Sequence, residues 1–271
     1  MIEATNLSTP QRGRTAVANA IAVASGKGGV GKTWLSVTLA QALAAQGRRV
    51  LLFDGDLGLA NVDIQLGLTP ATDLSAALDS ALPLERAVVR FPQGGFDVIA
   101  GRSGSGSLAT IAGPRLQRLS DGLAELAPRY DTVILDLGAG IDRNVRHLSG
   151  QCGTCLVVTT DEPTALTDAY AFIKLASAQP RPTDMRIVVN MAGSPVEGER
   201  TYATLLKACQ SFLKLSPPLA GIIRRDPRVK DCIRAQTPIL SRHPGAQAAE
   251  DVTALARRLE PDRIAPNRGD P

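Results

Sequence analysis

The sequence predicts a single α/β domain in three layers, with a mostly parallel sheet between two layers of helices. Three observations favour this fold class. Apolar runs of strand length alternate with segments of helical periodicity along most of the chain. Most of these runs are largely apolar rather than alternating, which is typical of parallel strands buried on both faces. A glycine-rich loop also joins the first predicted strand directly to the first predicted helix.

The predicted elements follow one another in the order that such a fold requires. Strands are expected at residues 20–24, 48–53, 96–100, 132–136, 155–160, 186–190 and 219–223. Helices are expected at residues 35–43, 114–127, 164–178, 197–212, 226–235 and 247–259, with a polar and helical stretch at 74–89. Loops are expected at residues 57–67 and 102–107. Residues 1–18 are predicted to be a flexible leader, 19–260 the domain, and 261–271 a frayed C-terminal tail.

The glycine-rich loop at residues 26–33 reads GKGGVGKT and fits the G-x-x-x-x-G-K-[ST] pattern. Its glycines let backbone N–H groups turn towards a phosphate, and the helix that begins here adds the positive end of its dipole. Lys32 is placed to reach the β- and γ-phosphates, and the Thr33 hydroxyl to ligate Mg²⁺. So short a pattern can occur by chance in a turn, but here a strand and a helix flank it. We therefore predict a nucleotide phosphate site that includes Gly28, Gly29, Val30 and Gly31.

Acidic residues follow two of the predicted strands. Asp54 and Asp56 come directly after the second strand, and Asp136 ends the fourth. Ligands of parallel sheets bind at the carboxyl ends of the strands, and a carboxylate there can hold Mg²⁺. The alternative is that these residues cap the helices that follow. We favour the metal role for Asp136, whereas for Asp54 both roles can hold.

The loop also contains a second lysine, Lys27, and the whole octet resembles the deviant phosphate loop KGGxGK[ST] of the MinD/ParA group of ATPases. Downstream segments resemble the flagellar branch of that group, the ATPases named FlhG, FleN or YlxH. These segments are DGDLGLANVD at residues 54–63, DLGAG at 136–140, VTTDEPT at 158–164, TDAY at 167–170 and GIIRRD at 221–226. The resemblance spans roughly residues 20–245 and implies a P-loop NTPase of the MinD/ParA (SIMIBI) class.

The resemblance implies catalytic roles for particular side chains. In the group, the second lysine, here Lys27, reaches across a dimer interface to the nucleotide of the partner. Asp56 lies in the segment called switch I and orients the attacking water, while Asp54 lies near Mg²⁺. Residues 136–140 match switch II, which senses the γ-phosphate. The resemblance therefore implies a homodimer in the ATP-bound state and slow, Mg²⁺-dependent ATP hydrolysis.

The resemblance also implies which residues surround the base. Asn190 falls where the group reads the adenine edge, since an amide both donates and accepts hydrogen bonds. The alternative is a turn-forming asparagine, and the sequence does not separate the two. Arg224 and Asp226 lie in the segment that borders the base. Trp34 departs from the group, which has a small polar residue at this position in contact with the α-phosphate. The departure therefore bears on nucleotide affinity.

The process that the protein controls follows from the resemblance alone. The first expectation is regulation of flagellar number or placement, through a protein partner from the flagellar assembly or positioning machinery. One alternative is an ATPase that positions the division site or partitions plasmid DNA. Another is an iron–sulfur carrier, suggested by Cys152 and Cys155, which we interpret instead as small buried apolar residues. His147 and His243 have no ligand companions at metal-binding spacing in the sequence.

Charge and hydropathy bear on location and partners. The net charge of +4, from 30 basic and 26 acidic residues, is too small to indicate nucleic acid as a partner. No transmembrane-length apolar run or signal peptide is recognisable, so a cytoplasmic protein is expected. The last predicted helix carries Val252, Leu255 and Leu259 on one side, and we expect it to pack on the body of the domain. The alternative is membrane binding by this helix, which would place the ATP-bound form at the inner membrane face.

Overall fold

The structure, a computed structural model, describes residues 17–70, 72, 74–79, 82–101, 111–179 and 183–259. Most of the expected leader, the whole expected tail and the expected loop at 102–107 lie outside these residues. The first strand begins at Val17, so the last two residues assigned to the leader belong to the sheet.

In the part of the chain that the structure describes, one sheet contains eight strands. They are β1 (Val17–Ser25), β2 (Val50–Gly55), β3 (Val88–Phe91), β4 (Phe96–Ile99), β5 (Thr132–Ala139), β6 (Cys152–Thr159), β7 (Asp184–Ala192) and β8 (Leu219–Arg224). The helices are α1 (Lys32–Ala45), α2 (Val62–Leu66), α3 (Leu74–Asp79), α4 (Gly113–Leu126), α5 (Arg143–Ser149), α6 (Pro163–Ser177), α7 (Pro195–Ala208), α8 (Arg228–Arg234), α9 (Ile239–Arg242) and α10 (Gln247–Arg258). A turn of π-helix, Cys209–Leu213, extends α7.

The strand order is β3-β4-β2-β5-β1-β6-β7-β8, and every neighbouring pair is parallel except β3 with β4. This confirms the predicted α/β fold with a mostly parallel sheet. The chain moves from β1 outwards to one side of the sheet and then to the other, which opens a crevice at the carboxyl ends of the central strands.

The edge strand β3 was not predicted, because residues 74–89 were expected to be polar and helical. Only Leu74–Asp79 forms an α-helix in this stretch, and Val88–Phe91 pairs with β4 instead. Phe91 packs on Phe96, with ring centroids 5.4 Å apart. Val88–Phe91 directly follows a polar stretch of helical spacing and contains the exposed Arg90, so its own sequence does not mark it as a strand. Pairing with β4 selects its conformation.

Helices cover both faces of the sheet, as the alternation of side chains along the strands requires. Leu51 and Phe53 of β2 point into a core shared with α4, α5, α6 and α7. Val50 and Leu52 point to the opposite face, into a core shared with α1, α8, α9 and α10. Three layers follow directly from this two-sided burial.

The last helix packs on the body of the domain, as expected from the sequence. Val252, Leu255 and Ala256 of α10 are at most 1% exposed and lie in the core that also contains α1 and β8. The apolar face that could have entered a membrane is therefore covered. Among the described residues, none of the helices combines the length and apolar character needed to cross a bilayer.

Candidate functional site

The glycine-rich loop lies between β1 and α1, at the carboxyl edge of the sheet. Gly29 and Gly31 have φ angles of 81° and 87°, a region that L-residues rarely adopt. A Cβ atom at Gly31 would also lie 2.5 Å from Nδ2 of Asn190. Asn190 donates from Nδ2 to the carbonyl oxygen of Val30 at 2.8 Å. The end of β7 thus holds the loop in place, and residue 31 must be glycine for that contact to form.

The N-terminus of α1 and Lys32 create a positive environment inside this loop. The first turn of α1 has neither an acidic residue nor a side-chain cap, so its N–H groups remain for another acceptor. Lys32 is only 8% exposed, and burial lowers the pKa of its ammonium while Asp136 and Asp56 raise it. A buried cation beside a helix N-terminus is suited to phosphate oxygens.

Two carboxylates lie beside this cation, because Asp54 on β2 and Asp136 on β5 are directly paired neighbours in the sheet. Each is 1% exposed. Burial, and then the nearby Asp136, raises the pKa of Asp54 to about 8. Burial also raises the pKa of Asp136 to about 6, although hydrogen bonds from Thr33 and Ser36 act in the opposite direction. The pair favours a bound cation, which would replace the proton of Asp54 and offset the charge of both carboxylates.

Asp54 also organises the segment that follows it. One of its oxygens accepts a backbone N–H from Asp56 at 3.2 Å, and the other accepts those of Asn61 and Val62 at 3.1 Å each. These contacts cap the start of α2 and fix residues 56–62 around the carboxylate. The capping role considered for Asp54 is therefore present, and its role at Mg²⁺ stays a prediction.

We expect a part of the stability of the nucleotide-free protein to disappear as the pH rises from about 4 to about 8. The unfolded chain ionises Asp54 near its ordinary pKa of 3.8, whereas the folded protein keeps it protonated up to about 8. Folding therefore binds a proton in this interval, and the stability that it contributes is lost as the pH rises through the folded-state pKa. Asp54→Asn removes the ionisation and keeps one oxygen, which can accept the N–H groups of Asn61 and Val62, while the bond from Asp56 is lost.

Melting temperatures measured across this pH range should consequently fall less steeply for Asp54→Asn than for the unmodified protein. Asp63→Asn, in the same segment, serves as the matched control and should keep the original slope. Equal slopes for Asp54→Asn and the unmodified protein would mean that another group causes the pH dependence.

Asp56 connects the two segments that the sequence assigned to switch I and switch II. Its Oδ1 accepts the backbone N–H groups of Gly58 at 3.3 Å and Leu59 at 2.9 Å. A Cβ atom at Gly138 would lie 3.1 Å from the same oxygen, so glycine there allows the close approach of β5. The carboxylate is half-buried and lines the cleft described next.

A cleft of about 710 Å³ opens over the loop, and its volume is that of a cofactor-sized site. Many of the expected site residues line it: Gly28, Gly29, Gly31, Lys32, Thr33, Trp34, Asp56, Asn190, Arg224 and Asp226. Asp54 and Asp136 lie beneath it, buried in the sheet. The cleft thus brings together side chains from five separate parts of the chain.

At the carboxyl end of β8, the partly buried side chain of Arg224 is held by α10. Its guanidinium makes two 2.8 Å bonds to the carboxylate of Asp251, and its backbone N–H makes a third. Arg225 and Lys230 are exposed and also line the cleft, although the sequence analysis assigned neither a role. Their positions at the end of β8 and on α8 are the sequence feature that could have assigned them to the cleft.

Trp34 follows the loop threonine and is only 6% exposed. It lines the cleft and also a small cavity between α2 and α8, together with Leu66 and Ile233. The indole therefore fills space between two helices that border the cleft. Its contact with the α-phosphate stays a prediction.

Lys27 is directed away from the cleft, towards the start of α6. Its Nζ donates to Oε2 of Glu162 at 2.5 Å and to Oγ1 of Thr164 at 2.7 Å. The side chain of Lys27 is 35% exposed and that of Glu162 is 62% exposed. The second lysine of the loop therefore lies at an open edge of the site, with an acidic partner from the VTTDEPT segment that the sequence analysis noted without assigning it a role.

The cysteine pair is buried, as the sequence analysis expected. Cys152 and Cys155 both belong to β6, are free, and have side chains in the core. Burial raises the pKa of both thiols, and their core positions fit the interpretation of the two cysteines as small apolar residues.

His243 has no ligand companions at metal-binding spacing in the sequence, but the fold brings two possible ligands to it. Its side chain lies beside Asp231 and Cys232, and the possible ligand atoms of the three residues are all within 4.8 Å of one another. His147 instead contacts the Ser120 hydroxyl at 3.0 Å and the Gln151 amide at 3.1 Å.

The residues at the loop fit the groups that the pattern implies. A Mg²⁺ ion prefers hard oxygen ligands, and the Thr33 hydroxyl with the buried carboxylates of Asp54 and Asp136 provides such a set. A phosphate needs convergent N–H groups and a cation, which the loop, the uncapped N-terminus of α1 and Lys32 provide.

This fold and this site define a nucleotide-binding protein of the phosphate-loop class. The profile of the family described as "CobQ/CobB/MinD/ParA nucleotide binding domain" matches residues 21–239. The chain belongs to this MinD/ParA family.

Relatives place it near the flagellar members. The chain is 38% identical over 240 residues to the "Antiactivator FleN" of Pseudomonas aeruginosa, covering 89% of this chain and 85% of that protein. It is 31% identical over 241 residues to the "Flagellum site-determining protein YlxH" of Helicobacter pylori, covering 88% and 81%. A septum site-determining protein MinD from Pyrococcus horikoshii, solved with Mg-ADP, shares the fold with a TM-score of 0.75 at 23% identity, over 92% of this chain and 97% of that one. The resemblance to the flagellar branch of the MinD group is thereby confirmed.

Proposed function

We propose that this protein is an ATP-dependent switch that dimerises when ATP is bound, hydrolyses ATP slowly with Mg²⁺, and regulates the number or placement of flagella. The observation that carries the proposal is the position of Lys27. The loop already has one buried lysine, Lys32, inside its own cleft, while Lys27 lies at the open edge where a second subunit could approach.

Within one subunit, the site would hold the triphosphate by charge. Lys32 and the N–H groups of the loop would bind the β- and γ-phosphates, at a helix N-terminus whose first turn contains no acidic residue. Thr33, Asp54 and Asp136 would hold Mg²⁺, which supplies charge neutralisation between the phosphates. The MinD of Pyrococcus horikoshii was solved with Mg-ADP, which supports a nucleotide together with Mg²⁺ as the ligand.

Asp56 is the residue that we assign to orientation of the attacking water. The N–H groups of Gly58 and Leu59 fix one of its oxygens, which leaves the second oxygen to accept a hydrogen bond from water. Asp56 also adjoins Gly138. A movement of switch II after loss of the γ-phosphate would therefore displace this carboxylate. Both segments could then relax together after hydrolysis.

Dimerisation would require Lys27 to leave Glu162 and Thr164. Both partners of this ion pair are solvent-exposed, so its contribution is about 1 kcal/mol or less. In a partially closed interface, a triphosphate would carry more negative charge than Glu162 and would lie in a lower dielectric, so it would attract the Lys27 ammonium more strongly. The differential affinity of the dimer for ATP over ADP would then control the association.

The test is the molar mass of the protein measured by light scattering, with a non-hydrolysable ATP analogue and Mg²⁺. The chain of 28.4 kDa should double in mass when the site is occupied. An unchanged mass at confirmed ligand occupancy would contradict the proposed switch.

Lys27→Ala should keep nucleotide binding and lose this increase in mass. The substitution removes a charge that acts on the nucleotide of the other subunit, so affinity within one monomer should change less than about threefold, as for loss of an exposed ion pair. Lys207→Ala, an exposed charge on α7, should dimerise as the unmodified protein does. A Lys27→Ala protein that still dimerises would assign the interface to other residues.

The flagellar process and its protein partner are supported by the names of the relatives, a "Flagellum site-determining protein" and an "Antiactivator". Deletion of the gene, followed by counting of flagella per cell in electron micrographs, would test the process. Normal numbers and positions of flagella, together with misplaced septa, would favour a division-site role instead.

A further inference from the structure

The corner between α8 and α9 contains a cluster of three different metal-binding side chains. Asp231 and Cys232 are adjacent on α8, and His243 directly follows α9. Their possible ligand atoms lie within 4.8 Å of one another. The carboxylate Oδ2 of Asp231 is 3.0 Å from Nε2 of His243. This cluster lies outside the lining of the nucleotide cleft and has no part in the proposed hydrolysis.

The backbone holds the three residues in place. The N–H of Thr237 donates to the carbonyl oxygen of Cys232 at 3.1 Å, which closes the turn after α8. The N–H of His243 donates to Ile239 at 2.7 Å, and that of Ala246 donates to His243 at 2.9 Å. The separation of α8 and α9 at this corner is therefore set by hydrogen bonds rather than by a long loop.

The donor set is that of a thiophilic divalent cation. A thiolate, an imidazole and a carboxylate are the protein ligands of Zn²⁺, whereas Mg²⁺ prefers oxygen alone. In a tetrahedral zinc site the bond lengths imply ligand atoms about 3.3–3.8 Å apart. The observed limit of 4.8 Å exceeds this by about 1–1.5 Å, a distance that side-chain rotation can close.

We propose that Asp231, Cys232 and His243 bind one zinc-like divalent cation, with water as the fourth ligand. The cation would replace the proton of the Cys232 thiol, which is released to solvent. Arg242 donates from Nε to Oδ2 of Asp231 at 2.7 Å and would remain there to orient the carboxylate. Oδ1 of Asp231 and the imidazole would turn towards the sulfur.

A cation at this corner would also act on the neighbouring cavity. Cys232 lines the small cavity between α2 and α8 together with Trp34, the single tryptophan of the chain. Movement of the sulfur towards a metal should change the surroundings of the indole. Tryptophan fluorescence is therefore a second readout, but Trp34 also lines the nucleotide cleft, so the thiolate absorption is the signal that assigns the site.

The test uses the full chain, treated with a chelator and then titrated with Co²⁺ in excess Mg²⁺. One equivalent should produce the charge-transfer absorption of a cobalt–thiolate bond together with a change in tryptophan fluorescence, and Zn²⁺ should abolish the absorption. Cobalt at the phosphate loop would have oxygen ligands only and would give no such band. Absence of the band in the unmodified protein would overturn the proposal.

Two variants identify the ligands. Cys232→Ser should abolish the band, and His243→Asn should weaken cobalt binding by about tenfold or more. Cys232 is buried and its variant could fail to fold, whereas the side chain of His243 is one-third exposed and its replacement should leave the fold intact. His147→Asn, which changes the other histidine, should bind cobalt as the unmodified protein does. A His243→Asn protein that binds cobalt with unchanged affinity in the titration would overturn the assignment.

Discussion

Replacement of Lys32 with glutamine is expected to abolish ATP binding at ordinary concentrations. Lys32 is the buried cation of the cleft, and loss of one partner from a buried, hydrogen-bonded charge pair costs about 2–5 kcal/mol. That range corresponds to an affinity decrease of roughly 30-fold to several thousand-fold. Isothermal titration with ATP and Mg²⁺ would measure it. Glutamine keeps most of the volume of the lysine, so the effect should come from charge and not from a cavity.

Two controls separate this effect from unfolding. Lys207→Gln removes an exposed charge on α7 and should bind ATP normally. The melting temperature of Lys32→Gln without nucleotide should show that the domain is folded, although Lys32 also offsets the charges of Asp56 and Asp136. A folded Lys32→Gln protein with unchanged ATP affinity would contradict the assignment of the loop as the phosphate site.

Asp56→Asn is expected to bind ATP and dimerise but to hydrolyse ATP about 10²–10⁴ times more slowly, the range for loss of a general base. Asparagine keeps an oxygen for the N–H groups of Gly58 and Leu59, so the segment should keep its conformation. It lacks the negative charge that polarises water. Phosphate release would measure the rate, and light scattering with ATP itself would show whether the dimer persists.

Comparison with Asp56→Ala separates the structural role of this residue from its chemical role. Alanine removes both the charge and the acceptor for the loop, whereas asparagine removes only the charge. Equal hydrolysis by Asp56→Asn and the unmodified protein would exclude the assigned role. A variant that stays monomeric with bound ATP would contradict the proposed link between the γ-phosphate and dimerisation.

The parts of the site that are continuous in the chain could be predicted from the sequence. The phosphate loop combines a strand, glycines, a lysine and a helix within a short segment, so its pattern is local. Asp54, Asp56 and Asp136 could be assigned to one edge because parallel strands bring their carboxyl ends together. The segments that resemble the flagellar branch are likewise short and continuous, so each can be recognised from its own residues.

Other contacts join residues that are far apart in the chain, and no local pattern indicates them. Asn190 bonds to Val30 across 160 positions, and Lys27 to Glu162 across 135. The strand β3 exists because β4 offers it a partner, and its short sequence alone does not distinguish it from a helix.

The sequence by itself determined the fold class, the phosphate loop and the family, because apolar runs, helical periodicity and short motifs are properties of neighbouring residues. Only the tertiary structure decided the surroundings of Lys27, the anchoring of Arg224 by Asp251 and the meeting of His243 with Asp231 and Cys232. The physical reason is that ion pairs and ligand clusters depend on distances between side chains. Packing of the helices on the sheet sets those distances.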